Sequence, residues 1–475
     1  MNLDFLLGEV GIKSNFGDVE ITSVTERIEK VKEGSLFVAV QGNNFDGNAF
    51  ITEALSKGAV AVITEKDIKA DNVIKVNCAR TMLSFLCSAL YSYPQYKMKM
   101  IGITGTNGKT TTAQYLKHIL LSAGKKCAVI GTLGIDSDEM SVSTGYTTPS
   151  PEVLFRELND LVGRGYEYCI LEVSSQALAQ ARVDPIEFEL AVFTNIGRDH
   201  TDYHGSIEKY VAAKAKLFTL SKNSLINTDD AYAEIFENHS SGKVLLYSAK
   251  DKAADYMAKN IRFSENGFSY IALKNDAVER FNTNGLGEFT VYNTLAAIAA
   301  ADVLEIEFEK AVSSLSLLPE VKGRLQKIDC IEKNVYIDFA HTPEALEAVL
   351  KTMRSHTKAK LICVFGCGGN RDRSKRSIMG RIAENYCDEI VLTSDNSRDE
   401  SPDAIMTDIS NGIKNKKNII KEKDRKKAIE LALRIAGNED VVLVAGKGHE
   451  EYQLTNGTKE YFSDVLTVKT LLGLI

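Results

Sequence analysis

No Cys-x-x-Cys pair occurs among the eight scattered cysteines of this 475-residue chain. Such thiols read as reduced cysteines of a cytoplasmic protein. An excess of positive charge is also missing. The 57 basic and 64 acidic residues leave a net charge of −7, which argues against a general nucleic-acid binder. It leaves room for a local basic pocket that takes an anionic small molecule. No apolar run reaches the roughly 18 residues of a membrane span, and no membrane insertion is expected. The N-terminus MNLDFLLGEV lacks the basic and long apolar regions of a signal peptide. Histidine is scarce. Four of the seven, His200, His204, His341 and His449, fall in expected strand-end loops, where binding and catalytic groups concentrate. The hydrophobic share of 44% and charged share of 25% are those of an ordinary globular chain, long enough for two to four domains with their own cores.

The most informative stretch is 98–124, MKMIGITGTNGKTTTAQYLKHILLSAG. A short apolar strand over Met98–Thr104 runs into a Gly-rich turn and then a helix. Leu116, Ile119, Leu120 and Ala123 share one face of that helix, and Gly124 is placed as its stop. The turn Gly105-Thr106-Asn107-Gly108-Lys109-Thr110 has the parts of a phosphate cradle. Small residues admit phosphate oxygens to backbone N–H groups, and the helix N-terminus adds partial positive charge. Lys109 is placed to reach the outer phosphates of ATP, and the Thr110 hydroxyl to ligate Mg²⁺. The strict P-loop spacing is not met, because five residues separate Gly102 from Gly108.

The rest of the chain reads as three α/β domains. Residues 1–97 hold a strand at Ser35–Gln41, the turn GNNFDGNAF, a helix at Ile51–Lys57 and a second strand, AVAVITE. Residues 98–323 alternate strand and helix, which predicts a mainly parallel ATPase sheet covered on both faces. Ser150-Pro151 starts one helix; strand Tyr168–Val173 ends beside Glu172, and strand Leu190–Asn195 leads to Gly197-Arg198-Asp199-His200. Residues 324–475 restart the alternation as a Rossmann-like doubly wound domain. Its strand-end loops are AHTP at 340–343, GCGGNRDR at 366–373, SDNSR at 394–398 and GKGHE at 446–450. Ligands in such sheets sit at the carboxyl ends of strands. Glu172 lies at such an end, and Mg²⁺ takes oxygen ligands from one or two carboxylates plus substrate phosphates.

Read in order, GITGTNGKTT, TTPSPE, LEVSSQAL, FTNIGRDHTDYHG, YVAAKAKLF, VYNTLAA, KGR, DFAHTPEAL, VFGCGGNRDRSKRSIMG and VAGKGHEEYQ resemble the UDP-N-acetylmuramoyl-tripeptide synthetases of the Mur ligase family. The resemblance spans nearly the whole chain. It implies a monomeric cytoplasmic ligase that uses ATP to join a diamino acid to UDP-N-acetylmuramoyl-L-alanyl-D-glutamate through an acyl phosphate. It also implies roles. Gly105, Thr106, Asn107, Gly108, Lys109, Thr110, Thr111, Asn293 and Arg324 would hold ATP. Thr110, Glu172, His200 and Lys214, the last as N6-carboxylysine, would serve the metal, with Lys109, Glu172, His200 and Lys214 forming the catalytic set. Asp338 and His341 would close the site from the third domain. Asn43, Asn44, Phe45, Thr147, Thr148, Ser174, Gln180 and Arg182 would contact the UDP-muramyl-dipeptide. Arg371, Asp395, Asn396, Ser397, Arg398, Gly446 and Glu450 would receive the diamino acid.

Two departures from the family pattern stand out. Val24-Thr25-Glu26-Arg27-Ile28 occupies the region of its Asp-Ser-Arg, and Asp395-Asn396-Ser397-Arg398 replaces Asp-Asn-Pro-Arg. The retained Arg398 points to meso-diaminopimelate, because a planar guanidinium fork suits the far carboxylate that L-lysine lacks. Loss of the proline leaves the loop less fixed and leaves room for lanthionine. The alternatives are an L-lysine-adding relative, a folylpolyglutamate synthetase, a P-loop kinase or NTPase switch, and a non-catalytic nucleotide-binding scaffold.

Overall fold

The computed structural model describes residues 1–42, 45–199, 201–250 and 253–475. Strands gather into three larger sheets and one two-stranded hairpin sheet. The first is a four-stranded parallel sheet over Ser23–Thr25, Ser35–Val38, Ala59–Thr64 and Val73–Lys75. Among the described residues no helix is long and apolar enough to cross a membrane, and all eight cysteines are free.

The second sheet has eleven strands. Its middle is parallel, running Lys243–Ser248, Asn223–Asn227, Leu190–Phe193, Lys99–Thr104, Tyr168–Glu172 and Cys127–Gly131. These strands read as unbroken apolar runs because both faces are buried. Along Lys99–Thr104, Met100 joins one core while Ile101 and Ile103 join the other; Ala191 and Phe193 part from Leu190 and Val192 in the same way. The first core continues through Leu3, Leu36 and Leu83, so the N-terminal sheet is fused to one face of the central one. The other face is covered by Lys109–Ser122 and by the Ala-rich helix Glu288–Val303, whose small side chains let the two helices pack closely.

The expected alternation of strand and helix is interrupted at both edges. Tyr256–Ser264, Gly267–Lys274 and Ala277–Thr283 form an antiparallel meander, and Gly134–Asp136 and Ser141–Val142 turn back antiparallel at the other end. Glu265-Asn266 makes the first turn of the meander, between the paired Ser264 and Gly267.

The third sheet runs Gln326–Ile328, Asn334–Asp338, Val441–Ala445, Leu361–Phe365, Glu389–Leu392 and Ile419–Lys421, parallel except at its first strand. Separate apolar clusters cover its two faces. Thr342 caps the helix Pro343–His356 by accepting from the Ala345 N–H. The linker at 322–325 reaches both sheets: Arg324 bonds Thr110 beside the second, and the Leu325 N–H bonds Asp338 at a strand end of the third.

Candidate active site

The phosphate loop is shaped by its neighbours as much as by its own residues. The Thr106 N–H donates to the Asn195 carbonyl at 2.7 Å, and the Asn107 N–H to Asn195 Oδ1 at 3.0 Å. Thr194 Oγ1 donates to the Asn107 carbonyl at 2.7 Å. Gly108 has φ +86, and a Cβ there would stand 2.6 Å from Asn293 Oδ1. Only glycine fits that left-handed position against the buried Asn293. Asn293 Oδ1 also accepts from Thr112 Oγ1 at 3.3 Å. Lys109 curls back on the loop, with Nζ 2.8 Å from the Gly105 carbonyl and 3.0 Å from that of Thr106. Burial lowers its pKa against the opposing pull of Glu172. Thr111 is half-buried at the start of the same helix.

Glu172 is fully buried where strand Tyr168–Glu172 ends. Its Oε2 accepts from Thr110 Oγ1 at 2.9 Å and Thr132 Oγ1 at 3.0 Å, and its Oε1 from the Thr132 N–H at 3.0 Å. From the linker between the sheets, Arg324 Nη2 donates to Thr110 Oγ1 at 3.1 Å. Arg324, Thr110, Glu172 and Thr132 thus form one chain of hydrogen bonds across the site. Thr132 was not singled out from the sequence. It follows the Gly131 that ends a neighbouring strand, and no local motif marks it.

Lys214 is buried on helix Ile207–Thr219. Its Nζ donates to the Gly105 carbonyl at 2.8 Å and lies 4.8 Å from the centre of the Tyr210 ring. Burial, followed by the nearby Lys109 charge, pushes its pKa well below the ordinary lysine value. The Tyr210 hydroxyl is 2.9 Å from Thr106 Oγ1. Asp338 accepts from the Leu325 N–H at 2.5 Å and the Ala340 N–H at 2.7 Å, so its carboxylate ties the linker to the strand end. Burial raises its pKa while Arg324 opposes the rise. His341 Nδ1 is 2.8 Å from the Phe339 carbonyl, and burial and then Lys375 depress its pKa.

Donors suited to Mg²⁺ are present. The Glu172 carboxylate and Thr110 hydroxyl offer hard oxygens beside a phosphate cradle. Among the described residues no group of three or more His, Cys, Asp or Glu side chains gathers in a way that could hold a metal ion. His200 lies outside the described residues, as do Asn43 and Asn44. His204 ends the short helix Thr201–His204 instead of lying in a loop, with Nε2 2.9 Å from Ser175 Oγ.

The residues assigned to the muramyl-dipeptide come together beside Glu172. Thr148 Oγ1 donates to the Glu172 carbonyl at 2.8 Å and accepts from the Ser174 N–H at 3.0 Å. Arg182 donates to the Thr148 carbonyl at 2.6 Å and to Gln180 Oε1 at 2.7 and 3.0 Å. Thr147 Oγ1 is 3.2 Å from Thr132 Oγ1. Phe45 lies apart, in the loop after strand Ser35–Val38, exposed and stacked on Phe50 with centroids 5.1 Å apart. In the departing segment, Thr25 Oγ1 and the Glu26 N–H bond Glu152 of the central region. Burial and then Glu152 raise the pKa of Glu26.

The amino-acid set forms a second cluster around the ends of the third sheet. Glu450 Oε2 accepts from Asn396 Nδ2 at 2.9 Å and from the buried Lys447 Nζ at 3.0 Å. Burial would raise the Asp395 carboxyl, but Lys447, Arg425 and the Asn396 N–H outweigh it and hold it low. A Cβ on Gly446 would sit 2.7 Å from Asp395 Oδ2. Arg398 Nη1 donates to the carbonyls of Gly369 at 2.8 Å and Asn396 at 3.3 Å. Burial and then the adjacent Arg371 lower the Arg398 pKa. Glu400 is engaged elsewhere, by Arg373 and Arg376, and Asp399 by Asn370. Ser397 is fully buried, and its hydroxyl donates to Thr455. Below the cluster, Arg425 pairs with Asp464 twice at 2.7 Å and donates to the Ser394 and Ala445 carbonyls, bracing two strand ends.

Comparisons with known proteins agree along the chain. Residues 20–87 match the Mur ligase family catalytic domain, 103–301 the Mur ligase middle domain, and 323–448 the Mur ligase glutamate ligase domain. The chain is 43% identical over 457 residues to the UDP-N-acetylmuramoyl-L-alanyl-D-glutamate–2,6-diaminopimelate ligase of Aquifex aeolicus, covering 95% of this chain and 94% of that one. The ligase of the same name from Caldanaerobacter subterraneus is 40% identical, with 97% and 96% covered. A solved structure of a ligase of that name superposes with a TM-score of 0.71 at 32% identity, covering 100% of this chain and 99% of that one. With three successive domain matches and relatives of this identity along almost its full length, the chain belongs to the Mur ligase family.

Proposed function

We propose that the protein is the ATP-dependent ligase that joins meso-diaminopimelate to UDP-N-acetylmuramoyl-L-alanyl-D-glutamate in peptidoglycan precursor synthesis. The observation that carries this reading is the hydrogen bond from Arg324 to Thr110. It ties the phosphate loop to the linker that leads into the third sheet, whose strand-end loops carry the residues we assign to the amino acid. The names of the relatives supply the substrates.

A carboxylate is a poor electrophile. In this reading its oxygen attacks the γ-phosphorus of ATP, the bond to the β-phosphate oxygen breaks, and ADP leaves. The diamino acid's amine then attacks the acyl carbon, gives up a proton, and the C–O bond breaks to release phosphate. Lys109 and Arg324 stabilise charge on the phosphate oxygens, and Asn293 fixes the loop that receives them. Bound Mg²⁺ supplies charge neutralisation at the phosphates; Thr110, Glu172, His200 and a carbamylated Lys214 would hold it. Thr147, Thr148, Ser174, Gln180 and Arg182 orient the acceptor beside Glu172, with Asn43, Asn44 and Phe45 at the uridine end. Asp395, Asn396, Glu450 and Lys447 suit the amino-acid end of diaminopimelate. Arg371 and Arg398 suit its far carboxylate, since both are cations and Arg398 is held by carbonyls alone among its assigned hydrogen bonds. Reduced thiols and a UDP-linked substrate support a cytoplasmic setting.

The test is product analysis. Incubation with ATP, Mg²⁺, the UDP-muramyl-dipeptide and meso-diaminopimelate should give the UDP-tripeptide by mass spectrometry, with one ADP and one phosphate per amide. ADP formation without a tripeptide nucleotide would favour an NTPase instead.

A further inference from the structure

We propose that Phe339 is a positioning residue for Arg324. It follows the last residue of strand Asn334–Asp338 and lies among three nitrogen-bearing groups. The Arg324 guanidinium carbon is 4.5 Å from the ring centroid, and the imidazoles of His341 and His449 have centroids 4.5 and 5.0 Å away. A guanidinium within about 6 Å of an aromatic face is attracted by the ring quadrupole. The face also fixes the plane of the fork, and hence the direction of Nη2 towards Thr110. Arg324 Nε is buried and has no hydrogen-bond partner. The Asp338 carboxylate accepts instead from the N–H groups of Leu325 and Ala340. The ring therefore provides orientation that a second hydrogen bond would otherwise give.

The backbone is fitted closely against Phe339. Gly448 has φ +54, and a Cβ there would stand 2.8 Å from Phe339 Cβ and 2.7 Å from the Gly323 carbonyl oxygen. Glycine alone lets the loop carrying His449 approach both the base of the Phe339 side chain and the linker that carries Arg324. Burial and then the Arg324 charge push the His449 pKa to about 3. It is a neutral imidazole at neutral pH and leaves the ring to a single cation.

This inference rests on the reading above that Arg324 meets the nucleotide. Steady-state kinetics of the whole enzyme would compare Phe339→Leu, Phe339→Tyr, Arg324→Lys and the Phe339→Leu/Arg324→Lys double variant. Leu keeps apolar bulk without a π face, Tyr keeps the face, and Lys keeps the charge without the planar fork. Phe339→Leu should raise the ATP KM about tenfold and leave the diaminopimelate KM unchanged. Phe339→Tyr should restore the ATP KM, and the double variant should be no worse than Arg324→Lys. A wild-type ATP KM in Phe339→Leu, an equal rise in both KM values, or additive effects in the double variant would overturn the proposal. An unchanged ATP KM in Arg324→Lys overturns the nucleotide role of Arg324 itself, and is distinguishable because it does not involve Phe339. If Phe339→Leu does not fold, Phe339→Met is read in the same way.

Discussion

Lys109 and Lys214 donate to the same oxygen, the carbonyl of Gly105, each at 2.8 Å. Two ammonium groups on one neutral acceptor repel, and burial makes the second charge more costly. The depressed pKa of Lys214 makes its neutral amine available. We predict that this amine adds to CO₂, losing a proton and forming an anionic carbamate beside Lys109. Enzyme equilibrated with carbon-13 bicarbonate should show a carbamate carbon resonance that Lys214→Ala abolishes. The same variant should lose roughly 100-fold or more in kcat. A bare ammonium in a structure determined at high bicarbonate would contradict this.

Arg398 should decide the choice of amino acid. If its guanidinium meets the far carboxylate, L-lysine leaves it unpaired, and discrimination of about 10⁴-fold is expected where buried polar groups lose their partner. Arg398→Ala should lower kcat/KM for meso-diaminopimelate by about 10²- to 10³-fold with little change for L-lysine. Comparable efficiency of the wild type with L-lysine would overturn the assignment. Lanthionine, which keeps that far end, should remain a substrate.

Gly131 is a position where one methyl group should separate folding from catalysis. A Cβ there would stand 2.1 Å from Glu172 Oε1 and 2.6 Å from its Cδ. Gly131→Ala should push the carboxylate off Thr132 and cut kcat by about 100-fold, at a stability cost of about 1–3 kcal/mol. Urea unfolding alongside phosphate-release assays reads both. Full activity would show that the Thr132–Glu172 contact is dispensable.

Much of this site was legible in the sequence because its groups sit at strand ends beside glycine-rich turns. The phosphate loop, Glu172 and the strand-end loops of the third sheet are of that kind. Thr132, Asn195 and Phe339 were not singled out, since their roles arise only when distant strands are placed side by side. The antiparallel meander over 256–283 was passed over, because its first turn, Glu265-Asn266, carries no local turn motif strong enough to mark it. The nearly all-apolar helix Glu288–Val303 gave no one-sided stripe, because it is buried all round. Ser397 carries a family expectation about loop rigidity, yet its hydroxyl is turned to Thr455 beneath the adjoining hairpin.

Acid stability should report the brace behind the amino-acid loop. Glu400 bonds Arg376 and the Asn370 N–H, which bring its pKa down from 4.5 to about 2 against the opposing effect of burial. A carboxyl depressed in the folded state contributes stability above its unfolded pKa and loses it as pH falls through the folded value. Wild-type unfolding free energy should therefore decline between pH 4.5 and about 2 more steeply than that of Glu400→Gln. Parallel slopes would show that the pair contributes nothing.

The most direct measurement is phosphate release from ATP by the purified enzyme, with each substrate omitted in turn. Turnover should require both UDP-N-acetylmuramoyl-L-alanyl-D-glutamate and meso-diaminopimelate, and Lys109→Ala should abolish it while leaving the unfolding transition in place. Equal release with either substrate missing would contradict the assignment as a ligase.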